Sequence, residues 1–325
     1  MNIMNNREKF EFIKRKAKTD LKVCKHFGFS IGAANFLSTV VFRMKTKAGR
    51  RLNIYEHERA KQYIRENFGD LYKDFQPKQE ENIPDDAPIW ILWWQGESQA
   101  PSIVKKCINS VRAHCGRHPV IVLDEYSYSN YVKINKTIVN KVKEGMISIA
   151  HFSDILRMYL LYQYGGIWMD ATLFVCDDFF ENLGKYSFYT IHHGKFSDYH
   201  VCKGLWSTFL FAANKGNNTI KLFCDVFESY LKKESVMLTY LLIDCVIAVA
   251  YEDIPYIRAE IDKIPPNNIN VFELQPRLSE KFDSRKFAEL KENTDLFKVS
   301  WKISFESKDK DTYFGHIFDD NSIET

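Results

Sequence analysis

The chain has 325 residues, 45% of them apolar and 15% aromatic, with a net charge of +3. That composition excludes wholesale disorder and provides for a sizeable core in one large domain or two modest ones. Seven cysteines, an odd number with no Cys-x-x-Cys pair, argue against a disulfide framework or a zinc site and read as reduced thiols of a cytosolic protein.

The charge is unevenly placed. Residues 1–51 carry thirteen Lys and Arg against three Asp and Glu, a net +10, which leaves −7 for residues 52–325. Residues 1–75 read as helical, with Phe10, Ile13, Ala17 and Leu21 near one face of a basic helix. The apolar stretch at 27–42 is shorter than the roughly 20 residues needed to cross a bilayer. The long charged run before it does not match a cleavable signal peptide. A proline-punctuated acidic stretch at 76–88 marks a boundary near residue 80. The expected organisation is a basic helical N-terminal extension over 1–80 and a catalytic domain over 81–325.

From there strand and helix signals alternate: IWILWW (89–94), a helix over 102–115, PVIVL (119–123) and a helix over 133–147. This is the pattern of an α/β sheet, whose ligands gather at the carboxyl ends of its strands. Next comes SDILRMYLLYQYGGIWMDATLF (153–174). Ser153 is the expected cap of a helix that Gly165–Gly166 ends. Residues 167–175 read as one strand, with Trp168, Asp170, Thr172 and Phe174 on a common face. Strand signals follow at 187–194 and 208–216, and helices are expected over 218–233 and 235–252. The stretch from about 268 to the end reads as irregular.

Three charges in this apolar segment need explaining. Asp154 and Arg157, three apart on one helix, are readable as an ion pair at a helix start. Asp170, in the middle of a nine-residue apolar strand, requires a metal ion, a cation or several donors. Thr172 is a weak oxygen ligand on the same face, and Asp177 or Asp178 is an alternative source of a second carboxylate. Trp93, Trp94 and Gln95 end the first strand where an aromatic platform suits a base, while Trp90 suits the core. His192, His193 and His316 are ambiguous between ligand and structural roles. The aromatics of the basic segment form no stacking platform for nucleic acid.

The segment 153–175 resembles the core signature of the capsular polysaccharide synthesis proteins, which are related to glycosyltransferase family 32. IWILWWQGE (89–97), WSTFLFAANKGNNTIKLF (206–223), and WKISFES with TYFGHIF (301–318) resemble the family's opening, middle and closing segments. The likeness covers roughly 83–318. It implies a GT-A fold, a mixed and mostly parallel sheet flanked by helices, and transfer of a hexose from a UDP-sugar, with retention of configuration. It places Asp154 and Arg157 at the ribose and sugar, Trp93 and Gln95 at the nucleobase, and Asp170 at a divalent ion, Mn²⁺ or Mg²⁺. Thr172 stands where the second acid of an Asp-x-Asp pair would be. His316 would be a C-terminal ligand, and Asp244 a sugar or acceptor contact. Trp94 and Trp168 belong to the same nucleotide-sugar site.

The implied acceptor is a lipid-linked oligosaccharide, met on the cytoplasmic face of a membrane that the basic extension would touch peripherally. Alternatives are a transferase acting on protein or teichoic acid, and an inactive member serving as a binding subunit. An Asp170 sealed against an internal lysine or arginine would count against the transferase reading.

Overall fold

The computed structural model describes residues 6–42, 46–195, 197–302 and 310–318. The N-terminal region is helical, as its sequence predicts. Helices α1 (Asn6–Phe27) and α2 (Phe29–Phe36) pack against each other. Helix α3 (Lys47–Lys73) begins at Thr46, whose hydroxyl accepts from Gly49 N at 3.0 Å. Its residues Ala60, Ile64, Phe68 and Tyr72 recur every fourth position and form one buried stripe. That stripe packs on α7 (Asn218–Lys233) and α8 (Leu242–Asp253). The helical region therefore shares the main core.

The rest follows the expected alternation: β1 (Ile89–Leu92), α4 (Ser102–His114), β2 (Val120–Leu123), α5 (Lys136–Lys143), α6 (Ile149–Tyr164) and β3 (Gly166–Asp170). Strands β4 (Leu173–Val175), β5 (Phe188–Thr190) and β6 (Leu210–Ala213) come next, before α7 and α8. The chain continues through α9 (Pro255–Asp262), α10 (Ser284–Lys291), β7 (Leu296–Lys298) and α11 (Tyr313–Phe318). The central sheet has the order β2-β1-β3-β6-β5. Only β6 is reversed, so four of its five strands point one way. This is the mixed, mostly parallel sheet flanked by helices that the GT-A expectation describes.

Three local expectations are corrected. The strand predicted over 167–175 is two strands in different sheets: β3 ends at Asp170, and β4 pairs antiparallel with β7 instead. Period-two alternation cannot reveal such a change of sheet. Helix α6 starts at Ile149, capped by Ser148, whose hydroxyl accepts from His151 N at 3.2 Å; Ser153 lies inside it. The helix expected from residue 235 begins at Leu242, and residues 234–241 form a loop.

Gly166 carries φ +107°, and a Cβ there would stand 2.2 Å from the Pro88 carbonyl oxygen. Only glycine lets β3 enter the sheet this close to the start of β1. Trp90 is buried there, its indole donating to the Gly165 carbonyl at 2.9 Å, which bears out its core assignment.

Candidate active site

A cleft of about 1080 Å³ opens where β1 and β3 end side by side. Leu92 and Asp170 are register partners, so both strands deliver their following residues to one place. Trp93, Trp94 and Gln95 enter from β1, Trp168 and Asp170 from β3, and Asp154 and Arg157 from α6. The short Gly165–Gly166 connection brings the end of α6 back to the start of β3, which gathers the charged residues of one sequence segment.

Arg157 is the buried centre of this group, 4% exposed. Its guanidinium lies 3.1 Å from Asp154 Oδ1 and 3.5 Å from Asp170 Oδ1. It donates to the Thr208 carbonyl and sits 5.2 Å above the Trp168 ring. Among the described residues its Nε has no acceptor, and neither does the buried indole N–H of Trp93. Buried donors without partners are uncommon and mark places where a ligand can supply the acceptor.

Asp170 is paired on its other side. Lys298, the last residue of β7, donates to Asp170 Oδ2 at 2.7 Å and to Thr172 Oγ1 at 2.7 Å. Trp168 Nε1 adds a bond to Asp170 Oδ1 at 3.3 Å. Burial pushes the Asp170 carboxyl up, but Lys298 and Arg157 outweigh it and hold it below the ordinary value. The pair is not sealed: the Asp170 side chain is 30% exposed and faces the cleft.

The other two carboxyls behave differently. Burial pushes Asp154 up to about 7, aided by Asp244 and Asp170 and opposed by Arg157. Burial likewise pushes Asp244 up to about 6, although the Trp206 indole donates to its Oδ1 at 2.9 Å. One carboxylate fixed as an anion beside two that exchange protons near neutrality suits acid–base chemistry.

The family profile of the capsular polysaccharide synthesis protein matches residues 42–317. The chain belongs to that family. Among curated proteins it is similar to "Glycosyltransferase afumC" of Aspergillus fumigatus, 26% identical over 177 residues, which are 49% of this chain and 44% of that protein. It is also similar to "O-glycosyltransferase braB" of Annulohypoxylon truncatum, 30% identical over 102 residues, 29% of this chain and 24% of that protein. The chain thus spans less than half the length of either relative. No solved structure matches it.

In this member of the family, the fold brings together Trp93, Trp94, Gln95, Asp154, Arg157, Trp168, Asp170, Thr172 and Asp244. His316 is not among the residues lining the cleft; its ring stacks on Phe282 at 4.2 Å. His192 and His193 do not line the cleft either: His192 is bonded to the Ile264 carbonyl at 2.8 Å, and the His193 ring meets that of Phe272, a lining residue, edge-on at 5.2 Å. Asp177 and Asp178 lie just beyond the end of β4, in the second sheet's trailing loop, and are not among the lining residues. Part of the closing segment quoted above, residues 303–309, lies outside the described residues.

Among the described residues, the donor set around Asp170 does not fit a divalent ion. Asp170 and Thr172 offer one carboxylate and one hydroxyl, and both already accept from Lys298. Among the described residues no three His, Cys, Asp or Glu side chains gather as a metal site would require.

Lys298 is the main residue that the sequence did not disclose. Tyr240 and Trp301 are two more: both line the cleft, 69% and 45% exposed, and Trp301 meets Trp93 edge-on at 5.6 Å. A lone lysine in a short LFK strand carries no local signal. Trp301 stands within a segment quoted for its family likeness, and that position was its only clue.

Proposed function

We propose that this protein is a glycosyltransferase that moves a hexose from a UDP-sugar to a glycan acceptor carried on a lipid. The observation that carries the reading is the convergence of Asp154, Arg157 and Asp170 with Trp93–Gln95 in one open cleft at the carboxyl ends of β1 and β3. The uracil stacks at Trp93 with Gln95 beside it, and the ribose and sugar contact Asp154 and Arg157. Asp244 faces the sugar or the incoming hydroxyl.

The reaction breaks the bond between the anomeric carbon and the phosphate oxygen and forms one to the acceptor oxygen, releasing UDP and a proton. Positive charge develops on the sugar ring and negative charge on the leaving diphosphate. The carboxylate of Asp170 faces the first, and the Arg157 guanidinium opposes the second. Tyr240 and Trp301, exposed at the cleft, present flat apolar faces of the kind that sugars stack on. Retention of configuration is part of this reading, as the family resemblance implies.

Peripheral docking belongs to the same proposal. Phe10, Leu21, Phe29, Val41, Phe42 and Ile54 are large apolar side chains left exposed, all within the first 55 residues. Phe10 and Leu21 lie on one face of α1, alongside Lys14, Lys18 and Lys25. Apolar side chains flanked by lysines fit an anionic lipid surface. No helix among the described residues is long and apolar enough to cross a membrane.

A released-UDP assay across common UDP-sugars, with a lipid-linked or soluble oligosaccharide as acceptor, tests the reading. One donor should be consumed by the wild type and spared by Asp170→Asn. Failure of every nucleotide sugar would favour the inactive, binding-subunit alternative.

A further inference from the structure

We propose that the diphosphate of the donor is held by Lys298 together with Arg157, so that the site works without a divalent ion. This rests on the nucleotide-sugar reading above and assigns the leaving-group contacts within it.

The first observation is stoichiometric. A pair of carboxylates carries two negative charges and suits a divalent cation. Asp170 with Thr172 carries one, and the single ammonium of Lys298 matches it at 2.7 Å to each group. A metal ion would have to displace Lys298 from both partners and would gain only one charged ligand in return. Thr172 is thus the complement of Lys298: a hydroxyl accepts from the ammonium without adding a second charge.

The second observation is positional. In the antiparallel β4–β7 pair Leu173 is the register partner of Lys298, so the lysine is anchored beside the turn at residues 171–172 by backbone pairing. Its ammonium also lies 5.4 Å from the Phe209 ring centroid, which restricts its placement further. Two of its three protons serve Asp170 and Thr172, and the third remains for an anion.

The third observation is the unpartnered Arg157 Nε, buried at the same cleft. Arg157 and Lys298 flank Asp170 from opposite oxygens. Arg157 is shared with Asp154 at 3.1 Å, but its Nε and the third Lys298 proton remain as donors and would serve a diphosphate from both sides with two fixed cationic groups. As the sugar–phosphate bond breaks, the electron pair passes to the phosphate oxygen, and this fixed positive charge stabilises it.

The test is calorimetric titration of the full-length protein with UDP and, separately, with inorganic pyrophosphate, each in EDTA and in Mn²⁺. Both probes should bind with affinities within about twofold in the two media. Lys298→Ala, shown to be folded by its circular dichroism and melting curve, should bind each at least about tenfold more weakly, a loss of about 1.4 kcal/mol. The double variant Thr172→Asp/Lys298→Ala, with a carboxylate pair rebuilt, should bind UDP only when Mn²⁺ is present. Wild-type binding abolished by EDTA and restored by Mn²⁺ would overturn the proposal and leave the nucleotide-sugar reading standing. Metal-free, Lys298-dependent pyrophosphate binding without UDP binding would support the proposal and sink the uridine donor. Absence of binding by either probe in both media would overturn both.

Discussion

Lys298 and Asp170, 128 positions apart in the chain, meet at 2.7 Å on the floor of the cleft. The contact is set by pairing β4, the last strand of the signature segment, with the distant β7, which carries the lysine to the end of β3. Asp170 is thereby held ionised by Lys298 and Arg157 despite its burial. A carboxyl whose folded value is depressed adds stability above the ordinary carboxylate range and loses it as pH falls through that folded value. Lys298→Met should therefore cost about 1–3 kcal/mol at pH 7. Urea unfolding should show the gap to the wild type narrowing below about pH 4. A gap that is constant with pH would mean that the pair does not act through the ionisation of Asp170.

Asp244 has the opposite linkage. Burial raises its carboxyl to about 6, so between the ordinary carboxylate value and about 6 the folded protein binds a proton that the unfolded chain does not. Its ionisation then costs stability as pH rises through that window. Asp244→Asn retains an oxygen for the Trp206 indole and removes the buried charge. The variant should gain stability relative to the wild type at pH 8, by up to roughly 3 kcal/mol, and gain little at pH 4. Melting curves at the two pH values check this, and an equal effect at both would contradict the assignment.

Arg157 is held by shape as much as by charge. Its planar group bonds Thr208, pairs with Asp154 and stacks on Trp168. Lysine keeps the charge but not the fork or the stacking. Arg157→Lys should weaken UDP binding at least about tenfold and destabilise the fold by about 2–4 kcal/mol. Titration calorimetry and urea unfolding measure the two effects separately.

Gly166→Ala probes how the site is assembled. The added methyl would stand 2.2 Å from the Pro88 backbone oxygen at a φ of +107°, with the Pro88 ring and the Trp90 indole nitrogen each at 3.0 Å. A cost of about 3 kcal/mol or more is expected, read as a lower urea midpoint. A neutral substitution would show that β3 can shift against β1 without loss.

The N-terminal face is testable on its own. Full-length protein should sediment with vesicles rich in phosphatidylglycerol and stay in the supernatant with phosphatidylcholine alone. Lys14→Glu/Lys18→Glu/Lys25→Glu should abolish sedimentation, since each basic residue near an anionic surface contributes about 1 kcal/mol. Sedimentation that is unchanged in the triple variant would assign this face to another partner.

Much of the site was readable because it is local in sequence. Asp154, Arg157 and Asp170 lie on consecutive elements joined by two glycines, so helical and strand periodicity alone places them near one sheet edge. Trp93–Gln95 followed from the rule that ligands gather beyond strand ends. Lys298 was invisible for the converse reason: its role depends on which distant strand β7 pairs with, and three residues of sequence do not encode that. The break between β3 and β4 was hidden likewise, since alternation continues through it while the partner strand changes. Tyr240 was obscured because the apolar run 236–241 reads as helix, yet the chain delays the helix to Leu242 and leaves that tyrosine exposed on a loop. His316 shows the limit of inferring proximity from a family's closing segment: its ring packs on Phe282, apart from the cleft.

A crystal structure of the protein soaked with UDP tests the central claim most directly. The account predicts uracil against Trp93 and Gln95, with the diphosphate within hydrogen-bond distance of both Arg157 and Lys298. Nucleotide density elsewhere on the molecule, or a diphosphate remote from the Asp170 cluster, would contradict it.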